Sequence, residues 1–194
     1  MLSSYSKEDT IKPFTPNSVV MKKSIVTLFG LFCVTFSVAQ NNVQIDGRLK
    51  PHLDKFFEYC KKYNIEYYDK LFELKNIDIV DTLTVSPKGS TLGMLTRDKN
   101  NKVENIVINW VALLDEEILK VVAFHEFAHY FLEYKKHICD DCGKIMAVVN
   151  SSYFDIVKDW DNQVKTLFLD SPLYKRRKTV AYTNSYSRPD HLAN

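Results

Sequence analysis

The chain has almost no excess of charge. Its 26 basic and 24 acidic side chains leave a net +2. That surplus lies in residues 1–40, where Lys7, Lys12, Lys22 and Lys23 outnumber Glu8 and Asp9. Residues 41–194 therefore hold 22 of each sign, and global electrostatics give no argument for a nucleic-acid partner. Internal repeats and low-complexity blocks are missing. Cysteine is sparse as well. Cys139-x-x-Cys142 is half of a four-cysteine zinc site, and without a second pair a structural zinc knuckle is not expected. What remains, 194 residues at 45% hydrophobic and 26% charged, is the composition of one ordinary globular domain with enough mass for a proper core.

The N-terminus reads as an export signal. Met21-Lys22-Lys23 is a short basic region. Ile25 to Val38 is apolar but too short for a comfortable membrane span, and Ser37-Val38-Ala39 offers small residues for cleavage. The polar residues 1–20 ahead of it place the expected start of translation at Met21. Bulky Phe32 before Cys33 argues against lipid attachment. The expected organisation is an extension and signal over 1–40, the main domain over 41–172 with no stable membrane span, and a polar, basic tail over 173–194. The tail holds Lys175-Arg176-Arg177-Lys178 and reads as solvated or poorly ordered. An exported chain, periplasmic or secreted, meets an oxidising milieu. One disulfide is then expected among Cys60, Cys139 and Cys142, with the pairing open.

Along the rest of the chain, Leu49 to Tyr63 carries Leu53, Phe56, Phe57 and Cys60 at helical spacing, with Pro51 in the first turn. Ile77 to Val85 alternates as a strand, and Pro87-Lys88-Gly89 marks a loop. Thr91 to Thr96 and Val103 to Trp110 read as a hairpin closed by the polar turn Arg97 to Asn101. A helix then starts at Asp115, a good N-cap, with Glu116 and Glu117 at the positive end of the dipole. Its apolar residues cover most of the circumference, so it is expected to be central and buried. Tyr153 to Leu169 is a further helical pattern.

The central helix contains His125-Glu126-Phe127-Ala128-His129. With about 3.6 residues per turn, positions i and i+4 project from nearly one face. Two neutral imidazoles there can share a zinc ion, Zn2+, and Glu126 sits where it can accept a proton from metal-activated water. Polar groups inside such an apolar helix are costly unless they face a cavity or a metal.

A catalytic zinc wants a third protein ligand. His137 is the leading candidate. On a continuous helix it would lie about 12 Å beyond His129, so the helix must end around Tyr134 to Lys136 and the chain must turn back. Glu133 is two turns from His125 on a straight helix and cannot share an ion with both histidines; pairing with a lysine is its expected role. Residues 147–194 contain no glutamate, which removes the arrangement in which a second helix donates one. Asp155, Asp159 and Asp161 remain as weaker options.

With His137 and the following Cys142-Gly143-Lys144-Ile145-Met146, the motif resembles the metzincin clan of zinc peptidases, and within it small exported bacterial members with a displaced third histidine and an Ile-Met turn. The likeness spans roughly Leu49 to Leu169. It implies an α+β fold of zincin type: a small twisted, mostly antiparallel-edged sheet packed on the central helix, then the methionine turn and a C-terminal helix. It implies His125, His129 and His137 as zinc ligands, Glu126 as general base, and Met146 as the turn methionine. Two departures stand out: Leu132 occupies the usual glycine position, and His137 comes two residues late. The implied activity is endopeptidase hydrolysis of a peptide or protein substrate. That substrate is expected to add as a strand along Thr91 to Thr96, with Leu92, Gly93 and Met94 lining the cleft. The rival readings are a zinc peptidase of another clan with a downstream aspartate as third ligand, and an exported metal-binding or interaction protein without turnover.

Overall fold

A computed structural model describes residues 42–86, 89–149 and 152–186. The expected export signal at 21–39, Pro87 and Lys88 of the loop, and the last eight residues lie outside them. Residues 41–194 form one compact unit of α+β class. In chain order its elements are β1 (Gln44–Ile45), α1 (Lys50–Lys62), α2 (Tyr68–Phe72), β2 (Asn76–Val80), β3 (Val85–Ser86), β4 (Gly89–Ser90), β5 (Gly93–Arg97) and β6 (Val103–Asn109). A 3₁₀ turn (Trp110–Leu114) then leads into α3 (Glu116–Phe131), followed by α4 (Tyr153–Lys158), α5 (Trp160–Leu169) and α6 (Pro172–Tyr186).

The four-stranded sheet runs β1-β2-β6-β5. Its inner pairings are parallel, and only β5 against β6 is antiparallel. The sheet is thus mixed, with one antiparallel edge. Strand β2 stops at Val80, opposite Asn109, rather than running on to Val85. Its partner β6 enters the 3₁₀ turn after Asn109, so later residues have no ladder to join, and Val85 pairs instead in the small β3–β4 hairpin.

Helix α3 lies against β5 and β6 on one side and against α1 and α4 on others, which is why hydrophobic residues surround it. Phe56 of α1 is the hub, with ring centroids 5.3 Å from Phe124, 5.6 Å from Phe127 and 5.2 Å from Phe168. Edge-on and tilted contacts of this kind add to plain area burial. The Asp115 carboxylate accepts from the amides of Glu117 and Ile118, capping α3 at the expected residue. The segment read as one helix from Tyr153 is two, because Asp159 leaves the helical region at φ −107°, ψ 33°.

One expectation at the C-terminal side changes. The basic segment expected as a solvated tail is helical from Pro172, although Lys175, Arg176, Arg177 and Lys178 are exposed as anticipated. Ser171, fully buried, accepts from the Tyr174 amide at 3.2 Å and supplies the start. The open cysteine pairing resolves to Cys139–Cys142. Cys60 is fully buried in α1 as a free thiol, and burial pushes its pKa up to about 12. Among the described residues no helix is long and apolar enough to cross a membrane.

Candidate metal centre

His125 and His129 project from one face of α3, and their Nε2 atoms lie 3.0 Å apart. His137 Nε2 completes a triangle, 3.1 Å from His125 and 3.3 Å from His129. Among the described residues this is the group of three or more metal-ligating side chains whose atoms converge; Asp155, Asp159 and Asp161 do not belong to it.

The outward-facing nitrogens decide what the inward-facing ones can be. His125 Nδ1 is 2.6 Å from the Ile145 carbonyl, and His129 Nδ1 is 2.5 Å from the Tyr134 carbonyl. A carbonyl only accepts, so each Nδ1 carries the proton and donates it. In the neutral ring each Nε2 is then a bare lone pair. Two lone pairs facing each other at 3.0 Å repel unless a cation lies between them. Protonation is an unfavourable remedy. Burial, reinforced by the other two imidazoles, lowers the pKa of His125 to about 4, and burial lowers that of His129. Three nitrogens bound at about 2.0–2.1 Å to a tetrahedral ion sit roughly 3.3 Å from one another. The triangle found here is close to that, so the donor set fits a divalent cation with a fourth position open.

The chain reversal after α3 explains how the third ring arrives. Helix α3 ends at Phe131, earlier than the expected stretch of Tyr134 to Lys136, and Glu133 takes the left-handed conformation at φ 63°. The position one residue before it, Leu132, is where the metzincin pattern has glycine. The reversal brings Tyr134 back so that its carbonyl meets His129, while its hydroxyl donates to the Leu167 carbonyl of α5 at 2.8 Å. The His137 loop is then laced to the segment after Gly143. The Ile138 amide donates to the Met146 carbonyl and the Val148 amide to the Cys139 carbonyl, both at 3.0 Å. The disulfide closes the loop, and Gln163 Nε2 donates to the Gly143 carbonyl at 2.9 Å. Met146 is 1% exposed and part of the core, next to the Ile145 carbonyl that orients His125.

Glu126, one residue after His125, is buried, and desolvation raises its carboxyl pKa to about 8. Its neighbour is Gly93 on β5. A β-carbon at that position would lie 2.5 Å from Glu126 Cγ and Oε1, so the carboxylate fits only because residue 93 has no side chain. Gly93, expected from the sequence to allow close approach of a substrate, also makes room for Glu126. Met94 is exposed, and Leu92 and Gly93 are half-buried. Asn109 was missed altogether. Fully buried, it donates from Nδ2 to the Thr91 carbonyl at 2.9 Å, while its amide donates to Leu92 at 2.8 Å, fixing the start of β5. Nothing in its sequence neighbourhood signals that role.

No family model matches this chain, and neither a curated protein nor a solved structure does.

Proposed function

We propose that the chain is a zinc-dependent endopeptidase of metzincin-like type. The observation that carries the reading is the His125–His129–His137 triangle, with two proton-bearing Nδ1 atoms anchored on carbonyls and the bare nitrogens turned inward. Bound there, zinc would polarise a peptide carbonyl and bring water's acidity toward neutrality. Glu126, adjacent to the first ligand, takes the proton as water attacks and returns it to the leaving amine. Its raised pKa reflects burial, and a cation held beside it would draw the carboxyl back to the charged form that accepts a proton.

Strand β5 supplies a surface for the substrate. It is an outer strand of the sheet, paired on one side with β6. Among the described residues its other edge pairs with no strand, and it carries backbone groups that an extended peptide can meet as an added strand, with Gly93 and Met94 along it and Leu92 just before it. Within this reading Met146 is the turn methionine under the ligands, and an exported, periplasmic or secreted location follows from the sequence signal.

Zinc content and cleavage of a broad peptide library, measured on the full chain and on Glu126→Ala, test the proposal. The expected result is one equivalent of zinc in both and peptide cleavage in the unmutated chain alone. Cleavage that survives Glu126→Ala, or a chain that takes up no zinc, would refute it. Zinc uptake with no cleavage of any peptide would favour a metal-binding protein without turnover.

A further inference from the structure

Helix α3 ends without the residue type that commonly ends one. Glycine and asparagine enter the left-handed region at little cost, whereas a larger side chain on Cβ is penalised there. Glu133 nevertheless occupies it, at φ 63°. Such a conformation persists only where the surroundings over-determine it.

Two cations do so. Lys70 Nζ of α2 donates to Glu133 Oε1 at 2.9 Å, and the Arg176 guanidinium of α6 donates to Oε2 at 2.6 Å. Lys70 Nζ also lies 3.4 and 3.5 Å from the carbonyl oxygens of Tyr130 and Phe131, in the last turn of α3. Those oxygens lack partners within the helix and attract a cation. One carboxylate thus ties three separate elements at the point where the chain reverses. Its side chain and that of Lys70 are each 28% exposed, so solvent screens that pair less than it would on an open surface; Arg176 is 57% exposed, and its pair is the more screened of the two. The residue after it, Tyr134, supplies the carbonyl that holds His129 Nδ1, and His137 follows three residues later.

We propose that Glu133, clamped by Lys70 and Arg176, is a positioning residue of the metal centre: holding the left-handed turn aims the Tyr134 carbonyl at His129 and returns His137 to the other two rings. This rests on the metal reading above. It also gives the basic C-terminal helix a part in the site, through Arg176.

Two measurements on the full chain test it: zinc affinity by competition with a chromogenic chelator, and NMR of the His129 ring nitrogens in metal-free protein above about pH 8, past the ordinary histidine range. Glu133→Ala should weaken zinc binding roughly tenfold, as loss of a group supporting a ligand does, and should cost His129 its Nδ1–H tautomer. Arg176→Ala should give a smaller loss of affinity. Glu133→Gly should recover most of the affinity, since glycine holds the turn unaided, and in that background Arg176→Ala should do nothing more. Unchanged affinity in Glu133→Ala would overturn the proposal, and so would a Glu133→Gly chain as weak as Glu133→Ala. Should the unmutated chain bind no zinc, the metal reading falls and the tautomer alone decides. Its loss in Glu133→Ala supports the positioning role, and its retention refutes it.

Discussion

His125 and His129 stand on a sixteen-residue helix packed against the sheet and two other helices. His137 stands in the stretch 132–149, which contains no helix and one isolated bridge, Cys139 to Ala147. The helical pair is placed by a backbone whose hydrogen bonds are its own and whose apolar neighbours fill the core. The loop histidine is placed by borrowed contacts: a disulfide, a few amide–carbonyl bonds to the Ile145–Val149 strip, and one buried glutamine. A site built this way has a rigid half and an assembled half. Its affinity is limited by how well the assembled half is held, because ordering a loop costs conformational entropy that a packed helix has already lost.

The largest effect should come from the rigid half. Removing His129 as His129→Ala should weaken zinc binding by on the order of several hundredfold, if four-ligand zinc sites are worth about 10–16 kcal/mol in all. His137→Ala should weaken it by a smaller factor, because that ligand's bond is partly offset by the ordering of its loop. Chelator competition ranks the two, and a larger loss at His137 would break the comparison.

A middling effect is expected where the sheet meets the helix. Gly93→Ala puts a methyl group where Glu126 lies, so the carboxylate must shift. Overpacking of this kind costs about 1–3 kcal/mol of stability. Peptide cleavage should fall by about a hundredfold, the lower end of what a positioned general base contributes, while zinc affinity stays near that of the unmutated chain. Equal losses in both would mean that β5 supports the ligands as well as the base.

The smallest effect should come from opening the disulfide. The bridge closes a short loop, with a sequence separation of 3, and the chain-entropy relation then gives it about 2 kcal/mol at most. The double substitution Cys139→Ser, Cys142→Ser should lower zinc affinity a few-fold and the Tm by a few degrees, leaving circular dichroism from the helices unchanged. A site that collapses on reduction would show that the amide–carbonyl lacing of the loop depends on the bridge.

Which parts were legible in the sequence follows the same division. The start of α3 at its Asp115 cap and the shared face of His125 and His129 follow from local periodicity and cap chemistry, and so does the β5–β6 hairpin; the end of α3 at Phe131 does not. The lysine partner expected for Glu133 is present as Lys70, but Arg176 comes from a segment that composition alone marks as a solvated tail. The left-handed turn was illegible because glutamate is a poor residue for it; two partners at distant positions impose it. The end of β2 at Val80 was hidden for a similar reason, since only the partner strand's departure into a 3₁₀ turn sets the limit. The role of Gly93 toward Glu126 needs the contact between β5 and α3, which no local pattern carries.

Cys60 has a consequence for how the chain reaches this state. Once α1 is docked, the odd thiol is sealed in the core and held in its unreactive, protonated form. Before docking it is an ordinary mercaptan competing with Cys139 and Cys142 for the same oxidant. Correct pairing is therefore a contest between two clocks, burial of the first helix and arrival of oxidising equivalents, and slow oxidation should favour the native crosslink over its scrambled isomers.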